Sequence, residues 1–261
     1  MSDLHWKTGI TNVQPNELRL RGYRVDELMG EVSFGQVVYL ALTGELPSAN
    51  VGKLMDAMLV SSIDHGATPP SALAARTAAS TGAPLNAAIA AGILSINKYH
   101  GGAIYGCMGV VQEGLDKMAA SGKGIPETAA EMIDEFRATK RRIPGLGHRI
   151  HTDDPRTRKL FALAEELGLA ADGVAMLKAL AAALKEKTGR NLPINVDGAI
   201  AALLVDLEMP HESANGFFIM ARVPGLMAHI NEEKSRMRPM RRIHPTDHGY
   251  DGAGNRRISG Q

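Results

Sequence analysis

Apolar residues along this chain recur at three- and four-residue intervals, not at every second position. Between positions 48 and 63, Val51, Leu54, Met55, Met58 and Leu59 keep the i, i+3, i+4 rhythm of a helix with one buried face. Ser33 precedes the stretch 34–43 and Gly44 follows it, an N-cap and a C-terminal glycine bracketing about three turns. Prolines mark further starts: Pro70 for 70–80, Pro84 for 85–96, Pro126 for 127–140 and Pro155 for 156–167. Asp172 opens 173–187, and 197–207 and 212–219 complete the series. Two glycines after His100 end one helix and start another, which contains Cys107. Alternating runs of Val, Ile, Thr and aromatics are missing, and aromatics make up 4% of the chain. The pattern predicts a mainly α chain of about ten helices or more.

Composition narrows the classes. Apolar residues are 44% of 261, enough for a core and against disorder. Lys and Arg number 29 against 28 Asp and Glu, so no global charge points to nucleic acid or a membrane surface. The basic run Arg236, Arg238, Arg241, Arg242 lacks interleaved aromatics. The one cysteine, Cys107, cannot form an internal disulfide, and its apolar neighbours predict an inert thiol. No charged segment followed by an apolar core opens the chain, and the apolar stretch 87–96 is too short to span a bilayer. The expected location is cytoplasmic. Alanine-rich helices such as 87–92 fit close helix packing or a subunit interface, and equally fit alanine's high helix propensity. The Gly-rich end beyond His244 is expected to lack regular structure unless a partner orders it.

The densest chemistry lies in residues 144–156. Pro144, Gly145, Leu146 and Gly147 form a turn with accessible backbone, His148 can move a proton near neutral pH, and Arg156 offers a planar fork to a carboxylate or phosphate. His148 and His151 with Asp153 and Asp154 raise the question of a metal. No further ligand pair has suitable spacing, His244 and His248 stand among prolines and glycines, and no metal is expected. His65 sits in Asp64-His65-Gly66, where local chemistry favours a plain helix C-terminus over a site. His100, before Gly101 and Gly102, stands at a helix junction, either in a plain turn or donating to a carbonyl that gains negative charge. Asp197 follows Asn195 in an apolar run. It is either part of a helix cap or a partly desolvated base, roles that coexist if Asn195 does the capping.

In this order the motifs resemble the citrate synthase superfamily, which includes citrate synthases, 2-methylcitrate synthases, citryl-CoA lyases and the lyase module of ATP-citrate lyase. The resemblance runs along nearly the whole chain. It comprises Arg21-Gly22-Tyr23, Leu42-Thr43-Gly44-Glu45-Leu46-Pro47, Asp64-His65-Gly66 and His100-Gly101-Gly102-Ala103. It continues through Gly145 to Arg156, Asn195-Val196-Asp197, Ala221-Arg222, Gly225, Ala228-His229, Glu232 and Arg238-Pro239. It implies an all-α homodimer, or a higher homo-oligomer, in which a small domain (104–208) is inserted into a large one (1–103 and 209–261). It implies Asp197 as the base at the methyl carbon of an acetyl thioester, His100 as hydrogen-bond donor to the thioester oxygen, and His148 as proton carrier to the oxaloacetate oxygen. His65, Arg156, Arg222 and Arg238 would hold carboxylates, with Arg238 reaching a neighbouring subunit. Pro144, Gly145, Leu146 and Gly147 would cradle the adenine of coenzyme A, and Arg149 and Arg190 its phosphates.

Relative to the longer synthases, the chain is short, with prolines at Pro69 and Pro70 and Gly198-Ala199-Ile200 after the aspartate. These departures favour the lyase branch: cleavage of citryl-CoA to acetyl-CoA and oxaloacetate, with a separate citryl-CoA synthetase as a candidate partner. The alternatives are condensation by a citrate synthase, a related reaction on another 2-oxo acid or acyl-CoA, and a non-catalytic ligand-binding homologue. Joint retention of His100, His148 and Asp197 argues for catalysis.

Overall fold

The computed structural model describes residues 6–148 and 152–241. Arg149, His151, Arg242, His244, His248 and the Gly-rich end lie outside the described residues. Eleven α-helices are seen among the described residues. They are α1 (Val25–Leu28), α2 (Phe34–Thr43), α3 (Ala49–Ser61), α4 (Pro70–Ser80), α5 (Leu85–Leu94), α6 (Ala103–Ser121), α7 (Ile125–Ala138), α8 (Pro155–Glu166), α9 (Asp172–Thr188), α10 (Val196–Asp206) and α11 (Ala214–Arg236). The sequence's start signals act as expected. Ser33 and Gln36 form a reciprocal capping box on α2, Gly44 ends that helix at φ 93°, and Ser48 caps α3. Such a cap stabilises its helix by about 1 kcal/mol.

Two expectations change. A three-stranded antiparallel sheet, β1 (Thr11–Gln14), β2 (Glu17–Leu20) and β3 (Tyr23–Arg24), precedes the helices. Its strands are too short to print a period-two pattern. Its register comes from turns in which Asn16 (φ 62°) and Arg21 (φ 49°) are left-handed. The Arg21 side chain then donates to Ala41 O at 2.8 Å, fastening the sheet to α2.

The second change concerns the helix expected at 212–219. It begins at Ala214 and runs on to Arg236, through Pro224, so Arg222 lies inside it and not after it. An interior proline costs about 3 kcal/mol. Burial of Phe217, Phe218, Leu226 and Ile230 along the same helix offsets this, at about 1.5–3 kcal/mol for each large apolar side chain.

The main core lies among α6, α7, α9 and α10, where Val110, Val111, Met132, Met176, Leu177, Ile200 and Leu203 are almost fully buried. A smaller cluster of Ala75, Ala79, Ala88, Leu226 and Ile230 joins α4, α5 and α11. The small side chains let these three helices approach closely. Among the described residues, no helix is long and apolar enough to cross a membrane.

Candidate active site

The turn at 144–147 and the start of α10 are built on each other. Gly147 N–H donates to Pro193 O at 2.7 Å, and Asn195 N–H to Gly145 O at 2.9 Å. The Asn195 side chain donates from Nδ2 to Gly147 O at 2.8 Å and accepts at Oδ1 from Gly198 N–H at 3.0 Å, capping α10. Asn195 is therefore the cap, and Asp197 is not needed for it. Gly198 leaves no room for a side chain, since a Cβ there would stand 2.5 Å from Gly145 O. These contacts fix His148, next to the turn, relative to Asp197 on the first turn of α10. They also take up backbone groups of Gly145 and Gly147 in building the site. Any coenzyme contact there falls to the remaining groups of the turn.

Asp197 is half-buried. Burial pushes its carboxyl above the ordinary carboxylate value; Arg156 and Arg222 pull it down, and the nearby Asp154 adds to the rise. The first effect wins, so the group is suited to holding and returning a proton. Cys107, behind the turn, is fully buried and its thiol is pushed up to about 12 by burial and the Asp197 charge, in keeping with an inert thiol.

His100 precedes α6 and is held from two sides. Its Nε2 lies 2.8 Å from Ser71 Oγ and receives the Ser71 backbone N–H at 3.4 Å. The Phe218 ring meets the imidazole edge-on, with centroids 5.7 Å apart. A backbone N–H can only donate, so Nε2 is the acceptor and the ring proton belongs on Nδ1. Burial, with the charges of Arg222 and His65, lowers the pKa of His100 below the ordinary histidine value. The result is a neutral imidazole with one N–H to offer.

The cationic part of the site comes from α8, α11 and the loop after α3. Arg222 is 3% exposed; its Nε donates to Ser62 O at 3.1 Å, and its guanidinium carbon lies 4.6 Å over the Phe218 ring. Burial lowers its pKa, while Asp64 and Asp197 oppose that effect. Phe218 joins two of these groups, since its ring lies under the Arg222 guanidinium and meets the His100 ring edge-on. Arg156 grips its own helix cap, Asp154, through Nε at 3.0 Å and a terminal nitrogen at 2.8 Å, and reaches Ser61 O at 3.4 Å. The His65 ring stands edge-on to His148, centroids 5.8 Å apart.

The predicted residues divide accordingly. His65, His100, His148, Arg156, Asp197 and Arg222 converge with the turn at Pro144, Gly145, Leu146 and Gly147. Arg190 is exposed just ahead of Pro193, the acceptor of the Gly147 N–H, and so lies beside that turn. Arg238 is not brought in within one chain. It is exposed near Ser80, whose carbonyl accepts from Met240 N–H. Ser71, next to His100, is at the other end of α4, about 14 Å away along the helix. Arg149 lies outside the described residues. Among the described residues, no group of three or more His, Cys, Asp or Glu could hold a metal ion.

Sequence reasoning missed Ser71 and Phe218, which grip His100. No local motif marks a buried serine or a helical phenylalanine, and only the crossing of α4 and α11 beside His100 gives them their roles.

A family model described as "Citrate synthase, C-terminal domain" matches residues 48–245. The chain belongs to the citrate synthase family. This family member is 41% identical to a solved citryl-CoA lyase from Hydrogenobacter thermophilus, with 97% of each chain covered and a TM-score of 0.88. Among curated relatives, the "Probable ATP-citrate synthase subunit 1" of Neurospora crassa is 26% identical over 255 residues. That match covers 91% of this chain and 37% of the fungal protein, so the chain spans little more than a third of the relative's length. A citrate synthase from Thermotoga maritima shares the fold at a TM-score of 0.64 and 24% identity, covering 84% of this chain and 60% of the other.

Proposed function

We propose that this protein is a citryl-CoA lyase, cleaving citryl-CoA to acetyl-CoA and oxaloacetate by a retro-Claisen reaction. The observation that carries the reading is the 41% identity over 97% of both chains to the Hydrogenobacter thermophilus citryl-CoA lyase. The site geometry supports it: Phe218 joins His100 to the buried Arg222, and the turn that leads to His148 is bonded to the start of α10, which carries Asp197. His148 takes the proton of the tertiary hydroxyl as the oxygen becomes the carbonyl of oxaloacetate. The carbon–carbon bond then breaks, and its electron pair moves into the thioester as an enolate. His100, neutral and with its proton on Nδ1, donates a hydrogen bond to the enolate oxygen. Asp197, kept protonated more readily by its burial, returns a proton to the terminal carbon and yields acetyl-CoA. Arg222, with Arg156 and His65, holds the carboxylates.

Coenzyme A would lie along the 144–147 turn, near Arg190. Arg238 serves a neighbouring copy in a homodimer, a reading supported by its exposure and its distance from Ser71 in its own chain. The experiment is incubation with synthetic citryl-CoA, with oxaloacetate read by reduction with NADH and malate dehydrogenase. Stoichiometric oxaloacetate and acetyl-CoA are expected. Release of free citrate and coenzyme A would make the protein a synthase, and absence of turnover would make it a non-catalytic ligand-binding homologue.

A further inference from the structure

Three residues on one face of α11 hold three consecutive residues of the loop that carries His65. Arg222 Nε takes the carbonyl of Ser62 at 3.1 Å. Gly225 lies directly under Ile63, so close that a Cβ would stand 2.2 Å from the Ile63 carbonyl oxygen. His229 Nε2 meets Asp64 Oδ1 at 2.9 Å. Positions 222, 225 and 229 are i, i+3 and i+7, a single helical stripe. Asp64 then turns the chain by accepting the Gly66 N–H on Oδ2 at 2.9 Å, and His65 stands between these two anchors. Burial of Asp64 works to raise its pKa, but the Gly66 N–H and His229 outweigh it, so the carboxyl stays below its usual value and ionised.

The other nitrogen of His229 completes the design. Arg76 approaches Nδ1 at 3.4 Å from a terminal guanidinium nitrogen, while its other bonds go to Glu233 at 2.8 Å and Glu232 at 3.0 Å. A guanidinium only donates, so Nδ1 must offer its lone pair and Nε2 carries the proton given to Asp64. Glu233 is buried, and its second partner is Arg241, beyond the end of α11. One connected set of bonds thus runs from residue 241 through Glu233, Arg76 and His229 to the His65 loop.

We propose that His229 is a positioning residue: through Asp64 it sets the loop 62–66 so that His65 faces the bound substrate carboxylate. The inference rests on the proposed function for the identity of that carboxylate. His229→Leu removes the donor, and His229→Gln keeps an amide N–H near the Nε2 position. Gly225→Ala is an independent perturbation, because it lifts the loop without touching His229. Citrate is titrated calorimetrically into the full chain and its variants, and KM and kcat for citryl-CoA are measured beside it. His229→Leu is expected to weaken citrate and raise KM about three- to fivefold, the scale of one net hydrogen bond. Kcat should change by less than about twofold, since a binding contact and not a transition-state contact is lost. His229→Gln should match the parent, and Gly225→Ala should resemble His229→Leu. Parent-like citrate binding by both His229→Leu and Gly225→Ala would overturn the proposal, as would equal weakening by His229→Leu and His229→Gln. A parent protein that binds no citrate at millimolar concentration would overturn it as well. Citrate binding without citryl-CoA turnover would count against the proposed function alone.

Discussion

Gly198→Ala tests whether the site is built by the contact between the 144–147 turn and α10. Helix propensity alone favours alanine over glycine by about 1 kcal/mol, so a position with free space would be stabilised. The structure reverses the sign. The new Cβ would lie 2.5 Å from Gly145 O and 3.1 Å from Gly145 C and Cα. These are backbone atoms of a turn already held by Pro193 and Asn195. Real Cβ contacts essentially never fall below 3.0 Å, so turn and helix must separate by at least the difference, 0.5 Å. Overpacking of this kind costs about 1–3 kcal/mol. For a chain of this size the melting temperature should then fall by roughly 2–12 °C, at about 2–4 °C per kcal/mol. The same shift moves His148 relative to Asp197. Misplacement by about 1 Å can cost 10²-fold in rate, so a loss of roughly tenfold in kcat is expected. Thermal unfolding followed by circular dichroism and the oxaloacetate-coupled assay read the two effects separately. A melting temperature equal to or above the parent's, with unchanged kcat, would refute the argument.

Other expectations follow from the same geometry. Asp197→Asn should lower kcat by roughly 10²–10⁴ if the carboxyl is the general acid–base group, measured by the same coupled assay. Because burial raises the Asp197 pKa, its favourable contribution is complete below the unfolded carboxylate value and is lost as pH rises through the folded one. Asp197→Asn should therefore melt higher than the parent at neutral pH, with the gap closing toward about pH 4. His100 carries the opposite shift, so its neutral form contributes stability above the ordinary histidine value, lost as pH falls through the folded one. Nitrogen-15 spectra should show it neutral at pH 7 with the proton on Nδ1, and Ser71→Ala, which removes the hydroxyl but keeps the backbone N–H to Nε2, should leave that tautomer in place. Cys107 should ignore aromatic disulfide reagents in the native protein and react on unfolding, because its thiol is buried and raised to about 12.

The helical class and most helix starts were legible in the sequence because each rests on local chemistry, whereas His100 and Asp197 kept two local readings each and only the family resemblance joined them to His148 and Arg156. A serine at an N-cap, a proline in a first turn and a 3.6-residue apolar rhythm act within a few residues of themselves. The sheet at 11–24 escaped because its strands are shorter than the pattern that reveals strands. The length of α11 escaped because Pro224 breaks the local rule while remote burial keeps the helix whole.

The sequence by itself determined which side chains could do acid–base work. The tertiary structure decided what each is: Asp197 gains its proton affinity from burial, and His100 its tautomer from Ser71, twenty-nine residues earlier in the chain. His65 gains its place from Arg222, Gly225 and His229 on α11, more than 150 residues later. Desolvation and hydrogen bonding act through space. They exist only once distant helices have packed, and no reading along the chain could supply them.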